Sequence, residues 1–304
     1  MDVSFELYKV FYHVAATLSF SEAATQLHIS QSAVSQSIHL LEEKLNSRLF
    51  ARTTKQVRLT PEGAMLFSFV EQAYQFLKTG ERNIQDVHSL TRGELKIAAS
   101  DTLCRYYLLS YLKQFNELYP AIKINITNRT SPVCTELVRK GLADISFVNL
   151  RHQSQLRTGE RESKLAITKL NIIHDVFVAG KDYHSLHKRK LSIKDLVNYP
   201  ILVLEKNTVT RSYFDDLLKR YNVSLTPEIE LGSIDLLIDL AQIGLGIAFA
   251  PQEYMATQLA QEQLFRLAIS EDIPPRYLGA VTNSTVPLPV AAQKFMHLIT
   301  EANK

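Results

Sequence analysis

The alternation of apolar and polar residues divides this chain into three regions. Residues 1–60 contain short helical patterns followed by a stretch typical of a β-hairpin. Residues 61–90 form one long helical pattern, with Pro61 at a position suited to the first turn. From residue 91 onward, strand patterns alternate with helical patterns, which indicates parallel βαβ units. The chain is therefore predicted to be a multidomain α+β protein with three parts: 1–60, 61–90 and 91–304.

The first region contains two helical patterns that meet at a turn over residues 28–30. Ser19 and Glu22 have the spacing of a capping box, which predicts where the first helix starts. The second helix buries apolar positions such as Val34 and Ile38, and the segment upstream of Ser19 supplies the core on which both helices rest. Two helices in this order on a third form a helix-turn-helix.

The second helix leaves a polar row exposed, and a basic stretch follows it. The short Ser and Gln side chains of this row suit the major groove of DNA. Residues 46–60 carry four cations and no acid, so a hairpin wing here would contact phosphates. The alternative is a solvated basic loop beside an ordinary three-helix bundle. We predict double-stranded DNA as partner, with these contact residues: Gln31, Ser32, Ser35, Gln36, His39, Arg52, Lys55 and Arg58.

Apolar or small residues in the long helical pattern recur at alternating steps of four and three, which marks a coiled-coil seam. The opposite face is polar throughout, which favours self-association over packing of this helix on its own domain. The predicted dimerisation residues are Leu66, Val70, Ala73, Leu77 and Ile84.

The third region is predicted to form two α/β lobes, with the chain crossing between them near residues 160 and 265. Lobe I then comprises about 91–162 and 266–304, and lobe II about 163–265. A cleft between lobes is a common ligand site, and the helix N-termini at its rim favour an anion, although N-capping alone also explains Ser and Thr there. Asp101 and Glu205 leave an amine or an amino acid open as ligand. The predicted effector contacts are Ser100, Thr102, Thr130, Ser131, Thr208, Thr210, Arg211 and Ser233.

Composition narrows the function classes. The formal net charge is only +3, so a nucleic-acid function needs locally concentrated cations. No apolar run reaches membrane-helix length and the first residues lack a secretory h-region, so neither a membrane-spanning helix nor secretion is expected.

Cys104 and Cys134 form no CxxC pair, which fits a reducing cytoplasm, and burial is favoured over a redox role for them. No metal-ligand spacing, nucleotide-binding loop or catalytic constellation appears, so no metal, cofactor or enzymatic activity is predicted. A ligand-binding or transport protein and an α/β enzyme remain the alternatives.

Several motifs together are specific. They are SFSEAA (19–24), QSAVSQSI (31–38), LFAR (49–52), LTPEG (59–63), GELKIAAS (93–100) and GLGIAFAP (244–251). With these, essentially the whole chain resembles LysR-type transcriptional regulators. The resemblance implies a winged helix-turn-helix, a long dimerising helix and a two-lobed effector domain similar to periplasmic binding proteins. It also implies oligomers on an imperfect palindromic promoter site. Gln36 departs from the Arg of many members, which puts the half-site sequence in doubt.

Overall fold

The computed structural model of the chain describes residues 3–52, 56–88, 93–150 and 164–302. Its contacts divide the chain into one unit that ends at Gln85 and a second unit that begins at Asp86. Lys55 of the predicted wing lies outside the described residues.

Three short helices begin the first unit: α1 (Phe5–Thr17), α2 (Phe20–Leu27) and α3 (Gln31–Leu45). The Ser19 hydroxyl accepts a hydrogen bond from the Glu22 amide, and the Ser30 hydroxyl accepts one from the Ala33 amide, so both later helices begin at a side-chain cap. Each of the three helices ends at a left-handed residue, among them His28 between α2 and α3. The predicted helix-turn-helix is confirmed.

The wing consists of β1 (Phe50–Arg52) and β2 (Val57–Leu59), which pair antiparallel. It is tied to α3 because Glu42 Oε1 accepts hydrogen bonds from the amides of Leu49 at 2.7 Å and Phe50 at 3.1 Å. The chain between the helix and the wing therefore has a fixed direction relative to α3.

The long helix α4 (Pro61–His88) starts at Thr60, whose hydroxyl accepts a hydrogen bond from the Gly63 amide. Gly63 is required for close approach, since a Cβ there would lie 2.0 Å from the Leu49 carbonyl oxygen. Further along, Tyr74 stacks on Tyr12 of α1 with ring centroids 4.2 Å apart. The first half of α4 is thus an integral part of the helix-turn-helix core.

The second unit contains two five-stranded mixed sheets. Lobe I has the strand order β4–β3–β5–β14–β6, and lobe II has the order β10–β9–β11–β7–β12. The lobe I strands are β3 (Gly93–Ala99), β4 (Ile122–Asn128), β5 (Ile145–Leu150), β6 (Leu165–Ile173) and β14 (Arg276–Asn283). The lobe II strands are β7 (Asp175–Ala179), β9 (Ile201–Leu204), β10 (Ile229–Leu231), β11 (Ile247–Pro251) and β12 (Phe265–Arg266). A short parallel pair, β8 (Lys190–Leu191) with β13 (Ala268–Ile269), is also present.

Helices cover these sheets. Lobe I carries α5 (Asp101–Leu103), a π-helical turn (Cys104–Leu108), α6 (Leu109–Leu118), α7 (Ser131–Arg139) and α11 (Val290–Ala302). Lobe II carries α8 (Val209–Arg220), α9 (Ile234–Gln242) and α10 (Ala256–Ala260). Short 3₁₀ segments lie at Lys181–Leu186, Ile193–Asn198 and Gln252–Met255.

The predicted lobe boundaries near 162 and 265 are wrong. β6 is the edge strand of the lobe I sheet and pairs with β14, so the first crossing falls at His174, between β6 and β7. The second crossing falls between β13 and β14, after Ile269. The reason is physical: the apolar run from residue 171 to 180 reads as one strand, but its two halves lie in different sheets.

Candidate functional site

The polar row of α3 lies on the outer surface of the first unit. Gln31, Ser32, Gln36 and His39 are exposed, while Ser35 is half-buried beside them. On the opposite face Val34, Ile38 and Leu41 are fully buried, as helical spacing requires. We call these five polar residues the recognition row.

Ser35, Gln36 and His39 line a shallow depression together with Leu40 and Glu43, two residues that the sequence analysis did not select. Leu40 offers an apolar surface suited to a thymine methyl group. Glu43 places an acid at the edge of the same surface.

The predicted wing cations are only partly described. Arg58 is exposed in β2, and its guanidinium donates two hydrogen bonds to Gln56 Oε1, at 3.0 and 2.6 Å. These two hydrogen bonds restrict the orientation of the Arg58 guanidinium. Arg52 lies in β1 opposite Val57.

The seam predicted on α4 separates into two faces. Val70 is buried and Leu66 packs against the same core, so both stabilise the first unit itself. Ala73, Leu77 and Ile84 are exposed, together with Met65 and Phe69. A 4–3 spacing does not distinguish stripes that start one residue apart, so the predicted seam mixes residues of the buried and the exposed face.

In the second unit, a cavity of about 310 Å³ opens between the lobes. We call it the interlobe pocket. Six of the eight predicted effector residues line it: Ser100, Thr102, Thr130, Ser131, Thr208 and Thr210. It also contains residues that the sequence analysis did not select as contacts: Asp101, Asn128, Arg129, Asn149, Leu204, Glu205, Val209, Gly232, Ile234 and Tyr254.

Arg211 and Ser233 do not line this pocket. Arg211 is buried, and its guanidinium forms ion pairs with Glu230 at 2.8 Å and Asp215 at 2.9 Å. The hydrogen bond to Glu230 raises the pKa of Arg211 and lowers the pKa of Glu230. The Ser233 hydroxyl accepts a hydrogen bond from the Leu236 amide, which makes it the N-cap of α9.

The floor of the interlobe pocket contains buried polar groups. The Tyr254 hydroxyl and Asn149 Oδ1 have no hydrogen bond of normal length and angle within the described residues. Burial raises the pKa of the Tyr254 hydroxyl, and the charge of Arg276 partly offsets this increase, with a smaller contribution from the neighbouring Asn149 side chain. Buried polar groups are nearly always paired, so these two are available to a bound molecule.

A buried ion pair lies directly behind this floor. Arg276 Nη2 donates to Asp175 Oδ1 at 2.6 Å, and neither side chain is exposed. Arg276 Nη2 also donates to the hydroxyl of Thr210, a pocket residue, at 3.1 Å. Because Asp175 begins β7 and Arg276 begins β14, the pair connects the segments where the chain crosses between lobes.

A second connection between the lobes starts from the π-helical turn. Its Tyr106 hydroxyl donates to Asp235 of α9, and Arg105 Nη1 lies 3.3 Å from the same carboxylate. The Tyr106 ring stacks on Tyr254 with centroids 4.7 Å apart. Burial and then the bond to Asp235 raise the pKa of Tyr106 to about 12. We call Arg105, Tyr106 and Asp235 the interlobe latch.

The surroundings of both cysteines disfavour the thiolate on balance, although Arg129 partly offsets the effect of burial at Cys134. Burial, followed by the charge of Asp101, raises the pKa of Cys104 to about 11, and burial also raises the pKa of Cys134. Within the described ranges, no group of three or more His, Cys, Asp or Glu side chains is arranged to hold a metal ion. Among the described helices, none combines the length and the apolar content that crossing a bilayer requires.

Comparison with known protein families gives matches along nearly the whole chain. Residues 5–64 match the model of the bacterial regulatory helix-turn-helix protein, lysR family, and residues 88–304 match the LysR substrate binding domain. A probable RuBisCO transcriptional regulator of Cyanidium caldarium is 27% identical over 284 residues, which are 92% of this chain and 88% of the relative. The HTH-type transcriptional regulator CysL of Bacillus subtilis (strain 168) is 27% identical over 267 residues, 88% of this chain and 86% of the relative.

Solved structures share the fold along nearly the same length. A full-length OxyR variant from Pseudomonas aeruginosa is 18% identical, with a TM-score of 0.72 over 98% of this chain and 95% of that one. Full-length CbnR complexed with its target DNA is 15% identical, with a TM-score of 0.64 over 99% of this chain and 100% of that one. Both similarities concern the fold.

Proposed function

The chain belongs to the lysR family of bacterial regulatory helix-turn-helix proteins, and from this premise we propose which surfaces carry out its function. It is a DNA-binding transcriptional regulator with an effector-binding domain. We propose that it binds an imperfect palindromic promoter site as a dimer or tetramer, in the cytoplasm. A small effector with an anionic group, bound in the interlobe pocket, adjusts this binding.

The recognition row is proposed to read base edges and nearby phosphates in the major groove. Support comes from its exposure at helical spacing and from Glu42, which fixes the wing beside α3. Arg52, Lys55 and Arg58 are proposed to contact the phosphate backbone. Affinity should then fall steeply with salt, because each phosphate contact releases counterions.

Self-association is proposed to use the exposed stripe of α4. Ala73, Leu77 and Ile84 of the predicted seam belong to it, and Met65 and Phe69 extend it. An apolar stripe along a long helix is typical of helix pairing. Pairing would place two copies of α3 in successive major grooves, which is the geometry that a palindrome requires.

The observation that carries the effector proposal is the interlobe pocket with its buried, unpartnered polar floor. A molecule that pairs with Tyr254 and Asn149 contacts both lobes, since Asn149 lies in lobe I and Tyr254 in lobe II. Its binding free energy would then depend on how the lobes are arranged, which is the condition for coupling to DNA.

Footprinting on DNA upstream of the gene for this chain, with and without a panel of metabolites, tests the proposal. We expect a protected site whose extent or affinity changes with one metabolite. Coupling must be reciprocal, so DNA must change the affinity of that metabolite by the same factor. Energetic independence of the two binding events would contradict the effector mechanism, and no protected site would contradict the promoter proposal.

A further inference from the structure

We propose that the effector is a small zwitterion of the amino-acid class, with its ammonium group held by Asp101 and Glu205. Its carboxylate would be held by Arg129 and the first turn of α7. This inference rests on the proposed function of the interlobe pocket and specifies the ligand class.

The two carboxylates come from opposite lobes. Asp101 follows β3 of lobe I, and Glu205 follows β9 of lobe II; both are exposed and both line the pocket. Neither forms an ion pair among the described residues. Asp101 accepts only a long bond of 3.4 Å from the Asn128 amide, and the Glu205 carboxylate lies close to Gly232. Asp101 is also favoured in the first turn of its helix, but Glu205 has no such structural reason to be an acid.

Two unpaired carboxylates in one small pocket disfavour a dianionic ligand and favour a cationic group. The cavity, of about 310 Å³, lies at the lower end of the usual range for small-molecule sites. It therefore suits a molecule whose cationic and anionic groups are close together.

The anionic group has a separate place at the N-terminus of α7. Thr130 is the N-cap residue there, but its side chain makes no capping hydrogen bond, so its hydroxyl is free to donate to a ligand. Arg129 immediately precedes it and also lines the pocket. Pro132 in the first turn has no amide hydrogen, so the amides of Ser131 and Val133, together with the helix dipole of this nine-residue helix, favour a carboxylate.

The floor gives an independent indication that a polar molecule occupies the pocket. Tyr254 is only 7% exposed, and in the described part of the chain neither its hydroxyl nor Asn149 Oδ1 has a hydrogen bond of normal geometry. Leaving such groups unpaired is costly, and a ligand with polar groups removes that cost. A purely apolar ligand would leave both unpaired.

The test uses the full-length protein and calorimetric titration. The probes are the twenty common L-amino acids and, for each one that binds, the corresponding α-hydroxy acid, which keeps the carboxylate and lacks the ammonium group. We expect at least one amino acid to bind, and its hydroxy acid to bind about tenfold more weakly or worse, because a charge-assisted hydrogen bond is lost. The double variant Asp101→Asn with Glu205→Gln should remove this preference, whereas Glu117→Gln, on the exposed surface of α6, should retain it.

The outcomes separate the ligand class from the function of the pocket. If no amino acid binds, or if the hydroxy acid binds equally well in the unaltered protein, the amino-acid inference is overturned. If an amino acid binds but Tyr254→Phe and Thr210→Val both leave its affinity unchanged, the interlobe pocket is not the site and the proposed function of the pocket fails too. An amino acid whose affinity falls in both the double variant and the Tyr254→Phe variant supports both proposals.

Discussion

The recognition row and the interlobe pocket present their polar groups in opposite ways. On α3, Gln31, Gln36 and His39 point into solvent, where water satisfies them until a partner replaces it. In the pocket, the hydroxyl of Tyr254 and Asn149 Oδ1 are buried, and neither has a hydrogen bond of normal geometry to any residue that the structure describes. An exposed donor costs little, whereas a buried unpaired one costs about 1–3 kcal/mol.

Sensitivity to a ligand is therefore expected in the second unit. The first unit is held by satisfied contacts, such as the two amide bonds to Glu42, so its surface is already formed before any partner binds. The second unit retains unsatisfied groups beside the segments that cross between its lobes. Binding there gains free energy that depends on the arrangement of the lobes, as a switch requires.

The largest expected effect comes from the buried ion pair behind the pocket. Arg276→Met leaves Asp175 charged and buried without its partner, which should destabilise the chain by about 3–5 kcal/mol. Urea unfolding of the full chain measures this loss. The matched double variant Asp175→Asn with Arg276→Met should recover a large part of it, because it removes the unpaired charge. Equal stability of the single and double variants would show that the charge itself is not the cause.

A smaller effect is expected at the tie between α3 and the wing. Glu42→Ala removes the acceptor of two amide bonds and should cost about 2–3 kcal/mol of stability, with weaker DNA binding because the wing loses its position. Glu43→Ala is the control on the same helix. It should leave stability nearly unchanged and strengthen DNA binding, since it removes an acid from the recognition surface. Thermal unfolding and a filter-binding titration distinguish the two variants. Equal losses of stability and DNA affinity in both would mean that the bonds to Glu42 do not fix the wing.

The sequence was sufficient for the first unit because local signals decide its structure. Ser19 caps its helix as its capping-box position indicates, and the buried face of α3 follows helical spacing. The domain order and the alternation of strands and helices in the second unit were predictable for the same reason. The assignment of strands to sheets was not predictable in this way. The apolar run around His174 looks continuous in sequence, and only strand pairing shows that its halves belong to different lobes.

The site was predictable to the extent that it follows strand ends. Ser100 and Thr130 follow β3 and β4, and Asn128 and Asn149 lie near the ends of β4 and β5, so a search at strand ends finds all four residues. Tyr254 follows β11 in a 3₁₀ turn, where a tyrosine reads as a core residue. Arg211 was expected at the rim because it begins a helix, but Asp215, one turn later, and Glu230 hold its charge elsewhere.

In the DNA-binding unit, contacts to base edges and contacts to phosphates should respond differently to substitution. Gln36→Ala should cost about 1–3 kcal/mol on the promoter site and change non-specific binding little. Arg58→Gln should weaken specific and non-specific binding alike and reduce the slope of log affinity against log salt by about 1. Titrations at several salt concentrations measure both. If Gln36→Ala lowers affinity equally on all sequences, this residue contacts the backbone and the recognition row does not read bases at that position.

The smallest effect is expected at the interlobe latch. Asp235→Asn removes the charged acceptor of Tyr106 and the partner of Arg105, which is largely exposed, so we expect a loss of only about 0.5–1.5 kcal/mol of stability.

The pKa of Tyr106 should fall from about 12 toward its ordinary value, because the bond to Asp235 is one of the causes of the increase. The folded-state pKa lies above the unfolded one, so the contribution of Tyr106 to stability is complete below about pH 10 and is lost as the pH rises through 12. Ultraviolet titration of tyrosine ionisation measures the shift. Asp239→Asn, one turn further along α9, is the comparison variant: it removes only a weaker charge effect on Tyr106, so it should lower the pKa less than Asp235→Asn does. Because Tyr106 stacks on Tyr254, effector affinity should change in Asp235→Asn and much less in Asp239→Asn; identical effector binding in both would show that the latch joins the lobes without reporting on the pocket.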